Sequence, residues 1–354
     1  MNELQRTSSS ALLTLASLVV IITGLKFAAP LIGQFLMALF IAVICTPSIR
    51  WMESKRIPRA IAIFVVLLVV LIFVYLVIAL VGDSITAFNA NKDYYVEQFN
   101  GRLQEAVSWL IELGMPLSSF DTQSLLAKID IMSLVTRVVG GVSTLFGDFF
   151  IVFLSVMFLL AETTSFPAKF KRAFSNSTEK LVHVNHVLSK IRHYLAIKAV
   201  TSLITGVLVS VSLVIIGVEF PYLWGMLAFL LNFIPSIGSL IASVPALILA
   251  LVQLGFGGFA WTGLAYLVIN NLVGNLLEPK LMGRMLGLST FVTFASLILW
   301  GFVFGPIGMF LSVPLTMAIK IALDTSQNTR WLGILLGPED EAEESAIIES
   351  ENHS

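Results

Sequence analysis

Long apolar runs dominate this chain and leave an α-helical membrane protein as the fold class. They approach or exceed 20 residues and recur along most of the 354 positions, and about 20 residues is the length at which a helix crosses a bilayer. Such a segment must bond each backbone N–H and C=O internally, which a helix does. Charged residues make up 12% of the chain, about half the roughly 25% found in soluble domains. We therefore predict an all-α polytopic membrane protein.

Eight apolar segments are candidates for membrane helices. They cover residues 11–29, 31–49, 60–81, 147–160, 196–217, 223–252, 256–277 and 288–323. Because some of them contain interruptions, we expect about seven to eight transmembrane helices. The polar stretch between the third and fourth segments is predicted to be a small helical region outside the cytoplasm.

Lysine and arginine positions predict the orientation, because basic loops stay in the cytoplasm. Four basic residues separate the second and third segments, and more follow the fourth. The 82–146 region carries four basic residues against seven acids, so it is predicted on the opposite side. Both termini are then cytoplasmic, and the expected location is the bacterial inner membrane.

The last third of the chain is predicted to contain two broken helical hairpins. Lys280 and Arg284 indicate a cytoplasmic loop, so segments 223–252 and 288–323 must each return to the side they left. Each contains a Pro- and Gly-rich turn followed by Ser-Val-Pro: Asn232-Phe-Ile-Pro235-Ser-Ile-Gly238 before Ser243-Val-Pro245, and Gly305-Pro306-Ile-Gly308 before Ser312-Val-Pro314. Paired interrupted segments of this kind indicate a transporter's substrate site. Two proline-kinked helices that serve only packing are the alternative.

These patterns divide the chain into five predicted parts. They are transmembrane helices one to three over 1–81, an extracytoplasmic helical region over 82–146, helices four and five over 147–217 with a basic amphipathic cytoplasmic segment over 162–195, a broken-helix transport module over 218–323, and an acidic cytoplasmic tail over 324–354.

Polar residues inside the apolar segments are the candidate functional residues, because ionisable groups at membrane depth usually mark function. Asn271, Asn275 and Glu278 follow at i, i+4 and i+7, which predicts one shared helix face. Their alternative role is hydrogen bonding between helices. The candidate transport-path residues are Trp224, Asn232, Pro235, Ser236, Gly238, Asn271, Asn275, Glu278, Trp300, Gly305 and Pro306. Glu162, Lys198 and Arg284 form a candidate gate, in which the first two can pair across the cytoplasmic ends of adjacent spans.

Several function classes lack support in the sequence. A net charge of −1 gives no basic field for nucleic acid. There is no phosphate-binding loop, so flux would be driven by the substrate gradient or by coupled ions. His183 and His186 are not joined by Cys or Asp, and Cys45 lies inside an apolar run. We therefore expect no metal, no cofactor and no enzymatic activity.

The order and spacing of several motifs resemble the autoinducer-2 exporter family of bacterial membrane proteins. The motifs are His193-Tyr-Leu-Ala-Ile-Lys198, Phe220-Pro-Tyr-Leu-Trp224-Gly225, Leu231-Asn-Phe-Ile-Pro-Ser-Ile-Gly238, Asn275-Leu-Leu-Glu278-Pro-Lys-Leu-Met-Gly283-Arg284 and Gly305-Pro306-Ile-Gly308-Met. The resemblance covers nearly the whole chain and is strongest over 194–323. It implies export of a quorum-sensing furanone from the cytoplasm by a homo-oligomer in the lipid bilayer, although some relatives act as sodium or lithium/proton antiporters.

Three hypotheses follow from these observations. The leading one is a secondary exporter of a small polar metabolite, most directly autoinducer-2, whose hydroxyl groups match amides, hydroxyls and aromatic rings. The second is a sodium(lithium)/proton antiporter on the same scaffold, and the third is a membrane scaffold that transports nothing.

Overall fold

A computed structural model of the protein describes residues 16–17, 19–113, 149–162, 178–235, 237–282, 287–324 and 329–338. All the regular secondary structure in these ranges is helical, and none of it is strand. The predicted all-α class is therefore confirmed.

Ten α-helices and one π-helix have defined bounds in the described ranges. In chain order they are α1 (Ala29–Ser54), α2 (Arg59–Ala90), α3 (Lys92–Glu112), α4 (Phe149–Glu162), α5 (Thr178–Ile216), α6 (Pro221–Leu231), α7 (Gly238–Asn270), the π-helix (Asn271–Leu277), α8 (Glu278–Met282), α9 (Thr290–Asp324) and α10 (Arg330–Leu336). Residues 19–27, within the first predicted span, are also helical, and Pro30 occupies the first turn of the next helix, where proline needs no hydrogen-bond donor.

Five helical stretches in the described part of the chain are long and apolar enough to cross a membrane. They are Ala29–Ser54, Arg59–Ala90, Leu188–Ile216, Gly238–Met282 and Thr290–Asp324, and the shorter apolar helices are Phe149–Glu162 and Pro221–Leu231. Large apolar side chains such as Ile72 and Tyr75 are at least half exposed on their surfaces. Exposed apolar surface on this scale is typical of lipid-facing helices, so the chain is a multi-pass membrane protein.

Two of these stretches are helical hairpins that reverse at glycine. Gly255 in α7 and Gly305 in α9 have φ values of 71° and 64°, which L side chains avoid. Trp300 donates to the Thr316 hydroxyl at 2.9 Å, although 16 residues of straight helix would separate them by about 24 Å. The break predicted at Gly305-Pro306 is confirmed. The reversal at Gly255 lies in the short gap predicted between segments 223–252 and 256–277.

The chain divides into two compact units. The first contains Met1–Ile63, Phe150–Tyr194 and Arg284–Ser354, and the second contains Phe64–Phe149 and Leu195–Gly283. The core of the second unit is a cluster of buried apolar side chains from α2, α3, α5, α6, α7 and the π-helix.

Glycine allows α5 and α6 to pack closely in the second unit. A Cβ on Gly206 would lie 2.8 Å from the Gly225 carbonyl oxygen, and a Cβ on Gly225 would lie 2.6 Å from the Gly206 carbonyl oxygen. Both distances are too short for a side chain. Small residues at a helix interface let two membrane helices make van der Waals contact along their backbones, and this contact fixes α6 against the polar part of α5.

Candidate functional site

One face of α5 in the second unit carries buried polar side chains. Lys198, Thr201, Ser202 and Thr205 lie at i, i+3, i+4 and i+7, which places them on one side of the helix. Their exposed fractions are 4%, 0%, 0% and 2%. The threonine hydroxyls donate to backbone carbonyls of the same helix, at 3.2 Å and 3.0 Å. Lys198 and Ser202 instead bond to other elements.

Lys198 forms a buried ion pair with Glu278. Its ammonium donates to both carboxylate oxygens, at 2.7 Å to Oε1 and 2.9 Å to Oε2. The two side chains are 5% and 18% exposed. Charges removed from water in this way are stable only when paired, so the pair neutralises two groups that neither helix could bury alone. It joins α5 to the start of α8, 80 residues later in the chain.

Asn232 joins the turn between α6 and α7 to the same face of α5. Its Nδ2 donates to Ser202 Oγ at 3.0 Å. The turn closes through the Ile237 N–H, which donates to the Pro235 carbonyl at 2.7 Å. At Gly238 an added Cβ would collide with the Leu231 carbonyl, so only glycine allows α7 to begin this close to α6. The structure thus brings Asn232, Pro235 and Gly238 together, while Ser236 lies outside the described residues.

The π-helix changes the face predicted for Asn271, Asn275 and Glu278. Asn275 Nδ2 donates to Asn271 Oδ1 at 2.9 Å, as expected for neighbours on one face. Both asparagines are exposed, whereas Glu278 is largely buried against Lys198. The α-helical spacing used for the prediction does not apply over Asn271–Leu277, because a π-helix bonds i to i+5 and rotates each later residue. Glu278 therefore points away from the amide pair.

Trp224 is buried near the start of α6, at the opposite end of this helix from Asn232. It is 1% exposed, and its Nε1 donates to the Glu219 carbonyl at 2.9 Å. The Glu219 carboxylate accepts from the Tyr95 hydroxyl at 2.5 Å, and its backbone N–H donates to Gln253 Oε1 at 3.0 Å. Burial, and then the hydrogen bond and charge of Glu219, raise the pKa of Tyr95 above its usual range. This network ties α3 and the turn after α5 to the Gly255 reversal.

The predicted residues of the second hairpin belong to the first unit. Trp300 stacks on Phe304 with ring centroids 5.7 Å apart, and its Nε1 donates to Thr316. Gly305 and Pro306 form the reversal of the chain between Trp300 and Thr316. The three candidate gate residues have different positions. Glu162 is exposed at the end of α4 in this unit, whereas Lys198 pairs with the carboxylate of Glu278. Arg284 lies outside the described residues.

Sequence reasoning missed the buried hydroxyl residues of α5. Thr201, Ser202 and Thr205 lie inside an apolar span, three, four and seven residues after Lys198, and that helical periodicity was the available signal. It also missed Tyr95 and Gln253, whose partners are far away in sequence. Within the described ranges no three His, Cys, Asp or Glu side chains converge as a metal site.

The chain is similar to known transport proteins along most of its length. A family model described as AI-2E family transporter matches residues 15–328. A putative transport protein of Haemophilus influenzae is 38% identical, over 92% of this chain and 95% of the relative. The AI-2 transport protein TqsA of Escherichia coli K12 is 36% identical, over 91% and 94%. A protein of Halobacillus andaensis named sodium-lithium/proton antiporter is 26% identical, over 84% and 92%.

Proposed function

This chain belongs to the AI-2E transporter family, and from that premise we propose that it exports the small signalling molecule autoinducer-2 across the bacterial inner membrane. The family assignment and the apolar helices make it a membrane transporter. The name of the Escherichia coli relative supports the proposed substrate.

The observation that carries this proposal is the buried polar face of α5. A polyhydroxylated, uncharged solute needs groups that both donate and accept hydrogen bonds, and a serine hydroxyl and an asparagine amide do both. Ser202 and Asn232 supply such a pair at 3.0 Å. The neighbouring charge of Lys198 is neutralised by Glu278, so the same surface presents little net charge to a neutral solute.

In the proposed mechanism the solute exchanges its hydroxyl groups for the hydrogen bond between Ser202 and Asn232. Such an exchange is nearly balanced in free energy, because one hydrogen bond replaces another. Breaking the Asn232 contact also frees the turn between α6 and α7. Interrupted helices at a solute site are the element that moves in many secondary transporters.

We further propose that Asn271 and Asn275 either extend this polar path or meet a second copy of the chain in a homo-oligomer. Their amides are exposed on an apolar helix beyond the hydrogen bonds that they make within it, and lipid offers no further partners at that depth. In the same proposal both termini are cytoplasmic, as the distribution of basic residues favours.

Uptake of labelled autoinducer-2 into everted inner-membrane vesicles tests the proposal, because such vesicles accumulate what cells export. Ser202→Ala or Asn232→Ala leaves one partner of a largely buried hydrogen bond unpaired, which costs about 1–3 kcal/mol. We expect roughly ten-fold slower uptake in each. Asn91→Ala is the matched control, since its amide is exposed and donates to the Ala87 carbonyl, one turn earlier in the chain. Equal uptake by all of these variants and the parent protein would contradict the proposal.

A sodium(lithium)/proton antiporter is the second candidate, and the Lys198–Glu278 pair favours it. A small cation can replace the Lys198 ammonium on the Glu278 carboxylate, because both interactions are between a cation and carboxylate oxygens. The Halobacillus andaensis relative carries the corresponding name.

The same vesicles, energised with a proton gradient, separate the two candidates. Collapse of the gradient by Na⁺ or Li⁺, lost in Glu278→Gln and kept in Glu105→Gln, would favour the antiporter. Accumulation of autoinducer-2 without such collapse would favour the exporter. Absence of both signals would leave the hypothesis of a non-transporting scaffold.

A further inference from the structure

One face of α3 contacts two separate points of the second unit. Tyr95 and Arg102 lie at i and i+7, which places them on the same side of the helix. The Tyr95 hydroxyl donates to the Glu219 carboxylate at 2.5 Å, in the turn before α6. The guanidinium carbon of Arg102 lies 3.2 Å from the position that a Cβ would take on Gly255, at the reversal of α7. Thus α3 lies across both the turn before α6 and the reversal of α7.

The two points that α3 contacts are also joined to each other. The Glu219 N–H donates to Gln253 Oε1 at 3.0 Å, and Gln253 lies two residues before Gly255. At the other end, the turn at residues 232–237 connects α6 to the first arm of α7, residues 238–254. Therefore α6 and this arm are held together at both ends, and α3 contacts one of those ends.

The contact with α3 lies far from the proposed solute site, at the opposite end of α6. This helix has 11 residues, Pro221–Leu231, so it separates the two ends by about 16 Å. Helix α3 is not among the apolar stretches long enough to cross a membrane, and the charge distribution predicts it outside the cytoplasm. A solute that moves outward from Ser202 and Asn232 therefore has to reach the level of α3.

The contacts of α3 with these two points can break at low cost. Arg102 Nη1 donates to Glu105 of α3 itself at 3.0 Å, and its Nε is buried without an acceptor among the described residues. Leaving a buried donor unpaired costs free energy in the closed position. The Glu219 residue is exposed, so water can replace the Tyr95 hydroxyl when α3 separates. The glycine-mediated backbone contact between α5 and α6 allows no such exchange.

We propose that α3 is the outer gate of the transporter. In the closed position Tyr95 bonds Glu219 and Arg102 packs against Gly255, and both contacts break when the solute leaves. Phe88, near the end of α2, stacks on Tyr95 with ring centroids 5.0 Å apart, so α3 turns about its first residues. The inference rests on the proposed passage of a solute by Ser202 and Asn232. Tyr95 and Arg102 are positioning residues, because they touch helix ends and not the solute.

Locking α3 in the closed position tests the gate. Intact cells that carry Tyr95→Cys/Glu219→Cys in a Cys45→Ala background are treated with a flexible bismethanethiosulfonate as long as the two replaced side chains. Everted vesicles are then prepared, and uptake of labelled autoinducer-2 is measured before and after the crosslink is reduced. We expect uptake to be at least about ten-fold slower with the crosslink intact, because a lid that cannot open blocks release, and to recover after reduction.

The matched control is a crosslink within α3. Glu97→Cys/Gly101→Cys joins two exposed positions one turn apart, so its crosslink should leave uptake unchanged. Equal uptake before and after reduction in the Tyr95→Cys/Glu219→Cys variant would overturn the gate, because a helix that only stabilises the fold does not need to separate.

A thiol on the inner face of α3 tests the gate without transport. Phe99 lies between Tyr95 and Arg102 on this face and packs against the core cluster. Phe99→Cys therefore reports separation of α3 through its rate of reaction with a water-soluble maleimide added outside. Adding Tyr95→Phe removes the donor to Glu219, so we expect about ten-fold faster labelling. Tyr94→Phe removes a hydroxyl from a half-exposed ring and is the matched control.

The two measurements separate the gate from the proposed substrate. A parent protein that accumulates no autoinducer-2 would reject the proposed export, and the labelling rates would then decide the gate. They also decide it if the double-cysteine variant does not fold. Equal labelling rates with Tyr95→Phe and with Tyr94→Phe would overturn the gate.

Discussion

Removing the carboxylate from the Lys198–Glu278 pair should strongly destabilise the second unit. In Glu278→Gln the Lys198 ammonium stays buried, with 5% of its side chain exposed, and loses the partner that it contacts at 2.7 Å and 2.9 Å. Breaking a buried pair from one side costs about 3–5 kcal/mol. Because the Glu278 side chain is 18% exposed and water reaches it, we expect the lower end, about 3 kcal/mol.

The double variant Lys198→Met/Glu278→Gln removes both charges and should be less destabilised than Glu278→Gln, since no unpaired cation remains. Chemical unfolding of the purified protein in mild detergent measures the free energy of each variant. The control is Glu105→Gln, whose pair with Arg102 is exposed and should contribute less than about 1 kcal/mol. The single variant Lys198→Met completes the cycle, and a loss in the double variant equal to the sum of the two single losses would refute the reasoning, because two independent sites show no coupling energy.

Two further predictions concern packing and ionisation. Gly225→Ala should lower the free energy of unfolding by about 1–3 kcal/mol through overpacking, because its Cβ would lie 2.6 Å from the Gly206 carbonyl oxygen. Gly257→Ala is the control and should leave the stability unchanged, because a Cβ there meets open space. Thermal unfolding compares the two variants. Because the pKa of Tyr95 is raised in the folded state, its hydrogen bond to Glu219 should stabilise fully below about pH 10 and be lost as the pH rises further. The free energy of unfolding of the parent protein should therefore fall as the pH rises above this value, and it should fall less in Tyr95→Phe. Equal falls in the two proteins would contradict this prediction.

The membrane helices were predictable because their cause is local. A helix in lipid satisfies its own backbone, so a run of apolar residues is sufficient to specify it. The turns at residues 232–237 and at Gly305-Pro306 were predictable for a similar reason, since proline and glycine act on their own backbone. The reversal at Gly255 was less visible, because its sequence contains glycine but no proline and lies among apolar residues.

The π-helix limited the prediction of the candidate site. The spacing of Asn271, Asn275 and Glu278 places them on one face only if the backbone stays α-helical. These residue types do not predict a π-helix. Over Asn271–Leu277 the hydrogen bonds follow a longer register. The carboxylate is thereby directed to Lys198, while the amides remain exposed.

By itself, the sequence determined that this chain crosses a membrane, that its helices break near Pro235 and at Gly305-Pro306, and which family it belongs to. Each of these depends on residues that are close together in the chain. Tertiary structure alone decided which polar groups meet. Lys198 and Glu278 are separated by 80 residues, and Ser202 and Asn232 by 30. A buried charge needs a partner from any element that packs against it, and only the packing of α5, α6 and α8 selects that partner.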